Sequence, residues 1–147
     1  MARYVIQWQA DPSYCIGIQQ VSAGSPAVLT LLQGAGSPTT QWEMDPVTGN
    51  IRSVADTTLY LTIQGVNPSN DTPLVVANFV LGNPYQSWNW VGSPGRIMNN
   101  GALNFYVDNT RCARTPGNPI ILYDSTGGCQ SWKILAVPSL EEVAAGL

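Results

Sequence analysis

The sequence predicts an all-β chain made of three copies of one four-stranded unit, closed around a three-fold axis. Three observations carry this. Gln86-Ser87-Trp88 recurs as Gln130-Ser131-Trp132, and Thr40-Gln41-Trp42 holds the same place earlier, with Thr where the others have Gln. The tryptophans fall 46 and then 44 residues apart, the mark of an internal repeat. Ahead of each Trp, short alternating or apolar runs follow one another between Gly-, Pro- and Asn-rich stretches, with 14 Gly and 11 Pro in 147 residues.

Each unit reads in the same order. The alternating runs Tyr14–Ile18, Leu59–Ile63 and Leu103–Val107 place apolar or aromatic residues at positions one, three and five, the pattern of a half-buried strand. A turn-forming stretch leads to a Pro-led apolar run: Pro26–Thr30, Pro73–Ala77 and Pro119–Tyr123. Pro has no N–H to give a ladder and is tolerated at a strand start. The two runs form a hairpin. After another loop the Trp strand arrives, with Trp42/Met44, Trp88/Trp90 and Trp132/Ile134 on one face. Tyr4–Trp8, Gly49–Ser53 and Gly95–Asn99 open the three units, which run about 1–47, 48–93 and 94–137 within a single domain. One unit cannot bury its own apolar face. Three can close together and remove their exposed edges, and a propeller needs at least four blades. Residues 138–147 form a tail. Ser139-Leu140-Glu141-Glu142 has a capping-box pattern, so the tail reads as a short helix or a frayed end, and Leu140, Val143 and Leu147 offer a homodimer contact.

Composition narrows the function. The chain is 44% hydrophobic and 10% charged with a net charge of −3, and no basic cluster exists to displace phosphate counterions. Nucleic-acid binding is set aside. No run approaches the roughly 20 apolar residues of a membrane-spanning helix. The complete lack of His removes the commonest zinc ligand and acid–base group. No nucleophile–base pair stands out, so neither catalysis nor a cofactor or metal is expected. The N-terminus lacks a long apolar secretory run, which points to a cytoplasmic chain. On that view Cys15, Cys112 and Cys129 read as three thiols. A Cys112–Cys129 bridge is the alternative for a secreted chain, with the odd count and missing leader against it. The sequon Asn70-Asp71-Thr72 is then expected to go unused.

Three Q-x-W-type units with a Pro-led apolar strand in register resemble the ricin-B-type β-trefoil lectins over residues 3–137. That resemblance implies a β-trefoil fold in which Trp42, Trp88 and Trp132 are core. It also implies a sugar site of four residue types per unit. An Asp near the end of the alternating strand takes two hydroxyls. A Gln lies two residues before an aromatic that stacks on the sugar. An Asn precedes the motif Gln. Counting back from each Trp, the Asp position reads Gly17, Thr62 and Tyr106, the Gln position Val28, Val75 and Ile121, the aromatic position Thr30, Ala77 and Tyr123, and the Asn position Thr39, Tyr85 and Cys129. Only Tyr123 keeps the type, so a galactose preference does not carry over.

Other polar residues gather where the loops meet. Asp108, Asn109, Asn118, Tyr123 and Asp124 belong to unit three, and Asn78, Asn83 and Tyr85 to unit two. Uncharged amides and hydroxyls beside an aromatic suit a neutral polyol. Turn chemistry accounts for the same Asn and Asp residues. The expected function is a non-catalytic lectin that binds glycans or glycoproteins, similar to the cytosolic lectins of fungi. The alternative is a β-trefoil protease inhibitor presenting Asn67–Pro73 or Arg111–Pro119, with Arg111 or Arg114 entering a protease pocket.

Overall fold

The computed structural model describes residues 2–92 and 95–137. The expected tail helix and its homodimer contact lie outside the described residues. Twelve strands are present among them: β1 (Arg3–Trp8), β2 (Tyr14–Ile18), β3 (Ala27–Leu31), β4 (Trp42–Met44), β5 (Ile51–Ser53), β6 (Leu59–Ile63), β7 (Thr72–Asn78), β8 (Trp88–Gly92), β9 (Gly95–Asn99), β10 (Ala102–Asn109), β11 (Ile120–Asp124) and β12 (Trp132–Val137). Each unit therefore contributes four. Single 3-10 turns at Pro38–Thr40 and Pro84–Gln86 lead into β4 and β8, and a third at Thr110–Cys112 follows β10.

The first and last strands of the units make a barrel. β1 pairs with β4 and with β12, β4 with β5, β8 with β9, and β9 with β12, all antiparallel. Within unit two the opening and Trp segments are joined by Trp88 N–H to Gly49 O at 2.8 Å, Ser87 Oγ to Thr48 O at 2.7 Å and Asn50 Nδ2 to Gln86 O at 2.9 Å. The middle strands form the hairpins β2–β3, β6–β7 and β10–β11. These meet cyclically and cap one end. β7 pairs with β11 through Pro73 and Thr72, and isolated bridges join Pro26 to Val75 and Val28 to Pro119. This is the β-trefoil.

The core repeats three-fold. Ile6, Ile51 and Ile97 come from the opening strands, Ile16, Leu61 and Val107 from the second, and Leu29, Val76 and Leu122 from the third, all buried. Trp42, Trp88 and Trp132 lie among them at 0%, 2% and 1% exposure, so the whole ring system is out of water. A buried indole N–H must be hydrogen-bonded. Each donates across its unit at 3.0 Å, to Ile16 O, Leu61 O and Val107 O respectively.

Those three bonds correct the repeat alignment. They make Val107 the equivalent of Ile16 and Leu61, not of Ile18 and Ile63. Strand pairing agrees: Cys15 lies opposite Gln7, Tyr60 opposite Arg52 and Tyr106 opposite Met98. Leu103, expected to face inward, is 65% exposed. The loop between β11 and β12 is shorter than its counterparts, so counting back from Trp132 lands two residues early.

Replacing Trp88 by Ala is expected to lower the unfolding free energy by about 3–5 kcal/mol. Trp88→Phe should cost less, chiefly the unpaired Leu61 carbonyl, at about 1–3 kcal/mol. Urea unfolding of both variants measures this, and wild-type stability in the Ala variant would contradict the core assignment.

Candidate functional site

The corrected register changes what unit three carries. Asp108 pairs with Ile121 as Gly17 does with Val28 and Thr62 with Val75. The position read as Gly17, Thr62 and Tyr106 is therefore Gly17, Thr62 and Asp108. Tyr123, Thr30 and Ala77 remain equivalent by the same pairing. Unit three thus has an acid at the end of its second strand and an aromatic at the end of its third.

Both line one cavity of about 360 Å³, within the usual size range of ligand pockets. Thr110, Arg111, Cys112, Thr126 and Gly127 add to its wall, and Asp71 arrives from the loop before β7 in unit two. Asp71, Arg111 and Cys112 all have left-handed backbone, with φ of 69°, 53° and 58°. Non-glycine residues in that region cost roughly 1–2 kcal/mol each, and such strain persists only where the surroundings over-determine it.

The surroundings are visible. Asn109, fully buried, donates from Nδ2 to Ala113 O at 3.0 Å. Asn118 Nδ2 donates to Asn109 Oδ1 at 2.7 Å and to Thr110 O at 2.9 Å, while Thr110 Oγ1 donates to Pro119 O at 2.7 Å. A Cys112–Cys129 disulfide ties the same turn to the residue before Gln130. This overturns the reading of these two cysteines as thiols. Folding brings them together across a hairpin, which chain position alone cannot show. Cys15 alone stays free and buried, and burial pushes its thiol pKa up to about 12, leaving it inert as a nucleophile.

Asp108 sits 5% exposed at the base of the cavity. Burial pushes its carboxyl pKa up, the neighbouring Gln130 amide works the other way, and the nearby Asp71 charge adds to the rise. A Cβ on Gly127 would collide with the Asp108 carboxylate and the Gln130 amide, so the floor fits only glycine. Gln130 donates from Nε2 to Asp124 O at 2.6 Å, but no protein donor among the described residues reaches its buried Oε1. In unit two, Gln86 Oε1 accepts from Val80 N–H at 2.8 Å. The corresponding N–H in unit three, that of Thr126, goes to Asp124 Oδ1 at 3.0 Å instead.

Asp124 itself is committed to structure. Its carboxylate accepts from the Thr126 N–H and hydroxyl and from Asn70 Nδ2, which together hold its pKa below the usual carboxylate range. Asn70 Oδ1 accepts the Asp124 N–H at 2.9 Å, so the sequon Asn clamps unit two onto unit three. Of the residues expected here, Asp108 and Tyr123 face the cavity, whereas Asn109, Asn118 and Asp124 build its frame. Asn78, Asn83 and Tyr85 are not brought to it. The Asn78 carbonyl accepts from Gln86, Asn83 Oδ1 caps the Pro84–Gln86 turn, and half-buried Tyr85 has its carbonyl bonded by Thr62 and Asn99. The equivalent spot in unit one is filled, since a Cβ on Gly17 would meet Thr30 at 2.9 Å and Thr39 O at 3.1 Å. No local feature of unit two marks Asp71 as part of a cavity in unit three. In the loops of the inhibitor alternative, Arg114 stays largely exposed, 3.7 Å from Asp11 and over Trp8, and Arg111 lines the cavity.

The fold is thus a β-trefoil, and its unit-three cavity combines an acid and an aromatic. Neither a protein-family model nor a curated protein matches the sequence. Solved structures do match. The ricin B-like lectin of Macrolepiota procera, solved in complex with lactose, is 21% identical with a TM-score of 0.73, over 90% of this chain and 93% of that one. The designed three-fold symmetric protein ThreeFoil is 18% identical with a TM-score of 0.78, over 90% and 97%. A mosquitocidal holotoxin is also 18% identical with a TM-score of 0.78. Its match covers 92% of this chain, which spans only 17% of the holotoxin's length. At these identities the likeness establishes the fold.

Two outcomes follow for the site. Asp108 has its pKa raised on folding, so its ionised form destabilises the native state above that pKa, and the cost vanishes below the unfolded value. Asp108→Asn should therefore raise the melting temperature at about pH 7, with the gain fading as pH falls towards about 4. Thermal melts across that range would refute this if the gain grew on acidification. Thiol titration of the unfolded, unreduced chain should find Cys15 only. Cys112→Ser with Cys129→Ser should cost about 3 kcal/mol for a bridge spanning 17 residues.

Proposed function

We propose that this protein is a non-catalytic lectin whose unit-three cavity binds a glycan. One observation carries the reading: the strand register sets Asp108 and Tyr123 on the same cavity, in the two places where the ricin-B-type resemblance puts the hydroxyl-binding acid and the stacking aromatic. A carboxylate accepts two adjacent hydroxyls, and an aromatic plane packs on the C–H face of a sugar ring. Asp108 is buried at a cost to stability with no cation paired to it among the described residues, the pattern of a group kept for binding. Lectins solved with lactose and with GalNAc share the fold and support this direction. The other two resemblance positions read Ile121 and Cys129, so the sugar is held differently from a galactose in the plant toxins. The Cys112–Cys129 bridge supports a setting in an oxidising compartment rather than the cytoplasm.

A glycan array followed by calorimetry on the best hits tests the reading. Asp108→Asn and Tyr123→Ala should each weaken binding by about tenfold or more while both variants stay folded. Tight binding retained in both would place the site elsewhere, and silence across a broad panel would end the lectin reading.

A further inference from the structure

Arg111 differs from the other arginines whose contacts are defined. Arg52 is tied to Glu43 at 2.7 Å and lies beside the Tyr60 hydroxyl, Arg114 pairs with Asp11, and Arg96 lies over the Tyr106 ring. Arg111 forms no ion pair and no side-chain hydrogen bond among the described residues, although it lines a cavity with Asp71 and Asp108. Left-handed backbone at both Arg111 and Cys112, the disulfide, and the Asn109–Asn118 brace fix the backbone from which residue 111 projects. The cavity therefore holds both carboxylate acceptors and an exposed guanidinium that has no ion-pair partner among the described residues.

We infer that Arg111 is the specificity-determining residue of this cavity and selects glycans that carry an acidic group, a carboxylate or a sulfate ester. The inference rests on the glycan-binding reading above. The sugar's hydroxyls go to Asp108 and its ring to Tyr123. The acidic group goes to the planar fork of Arg111, which matches a carboxylate or sulfate with two parallel hydrogen bonds. Asp71 takes a further hydroxyl and disfavours a ligand that presents its acid to it. A neutral glycan leaves Arg111 unpaired, and a cationic one meets it unfavourably.

The test uses matched oligosaccharide pairs that differ in one group: a hexose-terminated chain against its uronic acid, and lactose against its sialylated and sulfated forms. Titration calorimetry should give the acidic member about tenfold or more tighter binding, with a gap that narrows as salt is added. Arg111→Asn removes the charge and keeps a residue that tolerates left-handed backbone, so the melting temperature should hold while the gap closes. Arg111→Lys keeps the charge without the fork and should retain part of the gap. A preference for carboxylates alone or for sulfates alone identifies the source of the acid and supports the assignment. Equal binding within every pair, or a gap that survives Arg111→Asn, overturns it and leaves the lectin reading standing. Failure of every pair to bind overturns both.

Discussion

The molecule depends on one interaction made three times: a buried tryptophan donating its indole N–H to a carbonyl on the second strand of its own unit. The ring supplies apolar bulk at the centre of the barrel. The hydrogen bond fixes where that bulk sits relative to the hairpin. An unpaired indole N–H in this core would cost about as much as a lost buried hydrogen bond, so the strand cannot slip without penalty. Each hairpin is thereby held to the barrel, and the hairpin tips meet in a ring of bridges at one end.

Because the core is three-fold, the same corner can be compared in each unit. Unit one fills its hairpin corner with Thr30 and the Thr39 carbonyl against Gly17. Unit two spends the Thr62 hydroxyl on the Tyr85 carbonyl. Unit three instead leaves an acid over an open floor, holding that floor open with Gly127. Its Gln130 gives up an acceptor bond that Gln86 makes in unit two. Unit three also concentrates the strained residues and the disulfide. A buried acid, left-handed backbone and a disulfide thus coincide at this corner of a three-fold scaffold.

The cavity belongs to no single unit. Asn70 grips Asp124 through two hydrogen bonds and so brings Asp71 to a wall otherwise made by unit three. On the opposite side the disulfide joins the turn after β10 to the approach of the Trp strand, coupling the position of Arg111 to that of Gln130. Rigid walls of this kind reduce the ordering cost of binding.

The sequence by itself determined the architecture. Trp spacing, period-2 alternation and Pro-led runs are local and repeated, and they specify four strands three times over because burying an apolar face at each strand is a near-neighbour requirement. It also contained Asp108 and Tyr123 as candidates, yet hid that Asp108 stands where Gly17 and Thr62 stand. Strand pairing conserves that equivalence, while chain counting loses it to a loop of different length. Only the tertiary structure decided the rest: that Cys112 meets Cys129, that Asn109, Asn118 and Asp124 are frame and not lining, and that Asp71 and Arg111 line one cavity with no ion pair between them. These depend on which segments fold back on one another and on which side-chain atoms the backbone has already claimed, and no local pattern in the chain records either.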